Sequence, residues 1–136
     1  MVSSKKLPRG IRNNNPLNIR IGNTWLGEVP RPTDKAFEQF VQMEYGIRAG
    51  FVILRRYIRR YNRRTITDIV SAWAPSNENN TKAYIETVSR LTGIPADKEL
   101  KYEDMDTMVK LVDAMIQVEC GQRVQESLIK KGYRIA

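Results

Sequence analysis

The chain is predicted to form a mainly α domain with a small β-containing lobe at its front, and three observations support this. At 136 residues it is long enough for one domain with a real core. Residues 13–41 concentrate Pro and Asn and carry only short alternating runs, at Asn18-Ile-Arg-Ile21, Thr24-Trp-Leu-Gly27 and Ala36-Phe-Glu-Gln-Phe-Val41. From residue 44 onward apolar residues recur at helical spacing. Three segments follow: an extended arm over 1–12, the β/turn lobe over 13–41, and a helical body over 44–131.

Each helix of the body has a sequence reason. Ile47, Phe51, Leu54, Ile58 and Tyr61 form one stripe and predict a helix over 45–62. A short helix over 65–73 stops before Pro75 and the polar stretch that follows. Tyr84, Ile85, Val88 and Leu91 line a helix over 80–92, with Asn80 or Thr81 as its cap and Gly93-Ile-Pro95 as its end. Met105, Met108, Val109, Val112, Met115 and Ile116 stripe a helix over 104–120, and a last helix is expected over 122–131.

Glu119 lies on the wrong face of its helix. It follows Met115 by four positions and Ile116 by three, so it continues the apolar stripe. Gly121 is a plausible stop, which puts Glu119 in the last turn, where the helix end disfavours negative charge. Desolvation and the helix end both push its pKa up. A carboxylic acid that holds its proton near neutral pH suits cleavage of a glycosidic bond, whose oxygen leaves poorly until protonated. A solvated residue at a frayed helix end is the plain alternative.

Composition limits the other chemistries. With 41% hydrophobic and 28% charged residues the chain reads as globular. It has no histidine and a single cysteine, Cys120, which excludes an internal disulfide, a cysteine-based zinc site and the usual nucleophile–base pairs. No metal and no cofactor is expected, and any catalysis rests on carboxylates. Cys120 reads as a packing residue. No apolar run is long enough for membrane insertion, and residues 1–8 lack the apolar middle of a secretory signal. The net charge of +8 comes largely from Arg48, Arg55, Arg56, Arg59, Arg60, Arg63 and Arg64, mostly opposite the stripe of the first long helix. This is a solvated face, an attraction to the anionic bacterial wall or, less favoured, a nucleic-acid surface without a known motif.

Several segments together resemble a known family. Arg9-Gly-Ile-Arg-Asn-Asn-Asn-Pro-Leu-Asn-Ile-Arg20, Trp25-Leu-Gly27, Phe37-Glu-Gln-Phe40, Tyr45-Gly-Ile-Arg-Ala49 and Trp73-Ala-Pro-Ser-Asn-Glu-Asn-Asn-Thr81 look like the small phage-type lysins often labelled virion structural proteins. The resemblance runs from about Pro8 to Gly121 and implies a lysozyme-like fold and peptidoglycan degradation. The order of features from Asn14 to Phe40 is also similar to the β-lobe of bacterial cell-wall glucosaminidases. This family usually ends the long helix in Glu-Asn-Gly, matched here by Glu119, Cys120 and Gly121. Leu17, where glycine is commoner, and Cys120 depart from the pattern. In familiar lysozymes the acidic helix precedes the β-lobe, whereas here it comes last, which implies a circular permutation or a different active-site carboxylate.

The expected function is therefore peptidoglycan glycan-strand cleavage, as a lytic transglycosylase or muramidase-like enzyme, with Glu119 as general acid. Glu44, at the start of the arginine-rich helix, suits an ionised stabiliser or general base, or simply a helix-terminal residue. Asn14, Asn15, Asn18, Trp25, Arg48, Glu78, Thr81 and Tyr84 are the candidate substrate-binding residues. For the asparagines turn-building competes with sugar recognition, and Trp25 and Trp73 either stack on sugar or fill the core. The expected partner is bacterial peptidoglycan, reached through phage release or virion association. The competing readings are a cell-wall endopeptidase and a non-enzymatic basic binding protein.

Overall fold

The computed structural model describes residues 7–76 and 79–136, and among these the protein is mainly helical. Six helices follow in order: α1 Arg9–Arg12, α2 Met43–Arg59, α3 Ile66–Trp73, α4 Thr81–Thr92, α5 Met105–Cys120 and α6 Glu126–Ile135. The capping residues account for most of these limits. Side-chain oxygens of Thr65, Asn80 and Asp104 accept hydrogen bonds from the backbone N–H three residues on, at 3.1, 3.1 and 3.2 Å, and so open α3, α4 and α5. Gly93 and Gly121 close α4 and α5 at φ 71° and 70°.

Two segments depart from the sequence expectation. Residues 9–12 form a helical turn instead of continuing an extended arm, because the amides of Arg12, Asn13 and Asn15 find the carbonyls of Pro8, Arg9 and Gly10. The last helix begins at Glu126 rather than 122 and runs through Gly132. Gly132 is held there by packing, since a Cβ on it would lie 2.5 Å from Ile47 Cγ2.

The core forms around α5 and α2. Met108, Leu111, Met115 and Ile116 of α5 and Ile47, Phe51 and Leu54 of α2 are fully buried, each contributing roughly 1.5–3 kcal/mol by burial. Helix α5 packs on α4, α6 and α1, while α2 packs on α6 and α3. No helix among the described residues is long and apolar enough to cross a membrane.

The lobe over 13–42 is extended but barely paired. Among the described residues it contains two isolated antiparallel bridges, Arg20 with Phe37 and Glu28 with Phe40, in place of regular strands. Side chains complete the ladder. Asn15, fully buried, donates to the carbonyls of Ile19 and Glu38 at 2.9 and 3.0 Å and accepts from the Ile19 amide at 3.0 Å. The lobe seats on α2 through Gly46 and Gly50. The Asn14 carbonyl would lie 1.9 Å from a Cβ at Gly46, and Leu17, fully buried, fills the space over Gly50. Leu17, which stands where the resemblance expects glycine, is thus a well-packed core residue.

Candidate functional site

The end of α5 meets the asparagine turn of the lobe. Asn14 and Asn18 both adopt left-handed backbone, at φ 53° and 52°, which asparagine tolerates better than most residues. The turn between them carries Pro16, whose carbonyl accepts from the Cys120 thiol at 3.0 Å. Burial and the neighbouring Glu119 push that thiol up to about 11, so Cys120 is a neutral packing residue. Gly10 closes the joint from the α1 side, with no room for a Cβ between Asn18 Oδ1 and Cys120 Sγ.

Glu119 sits in this joint with its carboxylate turned toward the lobe. The Asn18 amide donates to Glu119 Oε1 at 3.0 Å, and the Tyr84 hydroxyl of α4 donates to Oε2 at 3.0 Å. Burial raises the Glu119 pKa, while the two hydrogen bonds and the positive charge of Arg20 act the other way, and burial wins. Tyr84 is itself buried, and burial followed by the Glu119 charge raises its phenol well above the ordinary range. It therefore remains a donor at any pH near neutrality.

Arg20 is the residue that reading the sequence missed here. Its guanidinium stacks over the Phe37 ring at 4.9 Å and carries positive charge toward Glu119. The alternation of Asn18-Ile-Arg holds the signal, because it places Asn18 and Arg20 on one side and Ile19 in the core. A shallow groove of about 280 Å³ is lined by Asn79, Asn80, Ala83, Tyr84, Thr87 and Val118, and Tyr84 is the residue it shares with the Glu119 group.

The other candidate residues separate into distinct roles. Asn18 and Tyr84 join Glu119; the other described candidates bind the fold. Glu44 forms an ion pair with Lys131 of α6 at 3.0 Å, and a backbone hydrogen bond together with that pair holds its carboxyl below the usual range. It is ionised as expected, but its partner is α6 and not the Glu119 group. Arg48 donates to the Ile135 carbonyl at 3.1 Å, again tying α2 to α6. Asn14 donates to the Phe40 carbonyl at 3.0 Å, and Thr81 donates to the Ala74 carbonyl. Trp25 corrects the expectation of a sugar platform. It is only 7% exposed, with the Arg56 guanidinium over its ring at 5.8 Å, so neither face is open. Trp73 is half-buried and meets Tyr57 edge-on at 6.2 Å. Glu78 lies outside the described residues.

A second acidic feature had no signature in the sequence. Glu38, 8% exposed, is pushed up to about 7, first by burial and then by the charge of Glu28. Glu28 is fixed by accepting the Trp25 amide at 2.9 Å. Both residues belong to the lobe, and Glu38 Oε2 is buried there without a hydrogen-bond partner. No group of three or more potential metal-ligating side chains occurs among the described residues.

Comparison with known proteins relates the chain to a phage protein. No protein-family model matches the chain. The sequence is 42% identical over 130 residues to Protein P5 of Pseudoalteromonas phage PM2, an alignment that spans 92% of this chain and 79% of that protein. Its share of both chains takes in the lobe and the helical body together, and the chain therefore belongs to the same family as that phage protein.

Proposed function

We propose that the protein cleaves the glycan strands of peptidoglycan in a lysozyme-like manner, with Glu119 as the general acid. The carrying observation is the half-buried Glu119 carboxyl held between Asn18 and Tyr84. A general acid needs two properties that usually conflict. It must hold a proton until the bond breaks, and then carry the negative charge left behind. Burial supplies the first, while two donors aimed at separate carboxylate oxygens supply the second.

In this reading protonated Glu119 gives its proton to the glycosidic oxygen as the bond to the anomeric carbon breaks. The positive charge developing on that carbon is met by the carbonyl of the sugar's own N-acetyl group, because Glu44 is committed to Lys131. Glu119, now a carboxylate, takes a proton from water or from a hydroxyl of the same sugar as that oxygen bonds to the anomeric carbon and the N-acetyl oxygen leaves it, which completes hydrolysis or transglycosylation. The absence of histidine and the neutral, buried Cys120 thiol disfavour an endopeptidase.

The test is incubation of purified peptidoglycan with wild type and Glu119→Gln, followed by mass spectrometry. Anhydro-sugar ends or new reducing ends are expected from wild type alone, with a loss of about 100-fold or more in the variant. Full activity in a folded Glu119→Gln protein, or release of free peptides only, overturns the proposal.

A further inference from the structure

The far end of α2 carries a surface that the glycan reading leaves unused. Between Tyr45 and Thr67 there is no acidic residue and no lysine, yet arginine occurs at 48, 55, 56, 59, 60, 63 and 64. Of those at the C-terminal end, only Arg59 has a carboxylate partner among the described residues, Glu103 at 2.7 Å. Arg60 and Arg63 lie over Tyr61 at 5.8 and 5.4 Å, and Tyr61 is 53% exposed. Arg56, one helical turn before Arg60, is held over the Trp25 ring. Arg60 lies 14 residues from Gly46, where the lobe seats on the same helix, so this surface is about 20 Å along α2 from that seat.

We propose that this surface binds single-stranded nucleic acid, with the guanidinium groups on phosphates and Tyr61 stacked on a base. Three features favour that partner. Guanidinium forks match phosphate geometry in a way that ammonium groups do not, and the cations that residues 46–66 supply are all arginine. Ring contacts hold Arg56, Arg60 and Arg63 in place, which reduces the entropy lost on binding. Tyr61 keeps 53% of its surface exposed beside two cations, and the ring surface left open offers an unpaired base a place to stack, whereas a duplex hides its base faces. An anionic membrane would instead call for exposed aliphatic side chains beside the charges, and the large exposed hydrophobic residue on this stretch is Tyr61 itself.

The experiment titrates fluorescein-labelled oligothymidylate with the full chain by anisotropy over a salt series. Wild type should bind with log K falling linearly with log salt. Arg56→Gln combined with Arg60→Gln should flatten that slope by about 1.4, at about 0.7 per phosphate contact on a single strand. Tyr61→Ala should weaken binding about tenfold and leave the slope unchanged. Circular dichroism establishes that each variant is folded. Glu119→Gln should bind as wild type does, so this result is independent of glycan cleavage. Failure to bind at low salt, a slope insensitive to the arginine replacements, an unaffected Tyr61→Ala variant, or equal affinity for duplex each overturns the proposal. So does arginine-dependent capture by phosphatidylglycerol vesicles or isolated cell wall without oligonucleotide binding.

Discussion

The Tyr84 hydroxyl donates to Glu119 Oε2 at 3.0 Å, joining two helices 35 residues apart in sequence through one proton. Because Tyr84 is buried and its phenol is raised well above the ordinary range, this hydrogen bond runs in one direction only. It favours the charged form of Glu119 against the desolvation that disfavours it.

Tyr84→Phe should therefore raise the Glu119 pKa further, since it removes a donor to the carboxylate without removing the burial. A general acid loses activity as pH rises through its pKa. The alkaline limb of the pH–activity profile should accordingly move to higher pH, and carboxyl-carbon NMR of Glu119 should follow the same shift. An unmoved limb together with an unmoved NMR titration would show that the hydroxyl does not govern this proton.

Glu38 predicts a pH dependence of stability with a definite sign. Its folded-state pKa is pushed up to about 7, above the ordinary 4.5, so the folded protein holds this proton more tightly than the unfolded chain. The associated stability is complete below about 4.5 and is lost as pH rises toward 7. Glu38→Gln removes the charge and nearly preserves the shape, so it should stabilise the protein relative to wild type at pH 8. A gain on the order of 1–3 kcal/mol is expected, with little difference at pH 4. Urea unfolding at the two pH values measures the difference, and equal gains at both would disprove the assignment.

Gly46 tests how tightly the lobe is seated. A methyl group there would meet the Asn14 carbonyl at 1.9 Å, and a backbone atom of a packed turn cannot swing aside as a side chain would. Gly46→Ala should cost about 3 kcal/mol or more in denaturant unfolding. Gly93→Ala is the comparison, because space around it is open and only the left-handed backbone opposes a side chain, at roughly 1–2 kcal/mol. If the two variants lost equal stability, the turn would be yielding to the helix.

The sequence by itself determined the helical body and the position of its acid. Helix order follows from apolar periodicity, and the ends of α3, α4 and α5 follow from Thr65, Asn80, Asp104, Gly93 and Gly121, each acting within one turn of chain. Glu119 was legible for the same reason, since a carboxylate in register with Met115 and Ile116 has to meet whatever covers that stripe. Tertiary structure decided everything that depended on distant partners. Asn18 reaches Glu119 across 101 positions, and Asn15 was separated from it as a lobe brace only by its contacts with Ile19 and Glu38. Trp25 is an aromatic residue in a polar stretch, and nothing local distinguishes a ring that faces sugar from one closed over by Arg56 thirty-one positions later. Glu38 looks like one more solvated acid until burial, and then the charge of Glu28, raise it. The seating of α6 on α2 rests on Gly132 against Ile47, a contact between chain segments 85 residues apart. Local rules act over one helical turn, whereas desolvation and charge depend on which surfaces the folded chain brings together.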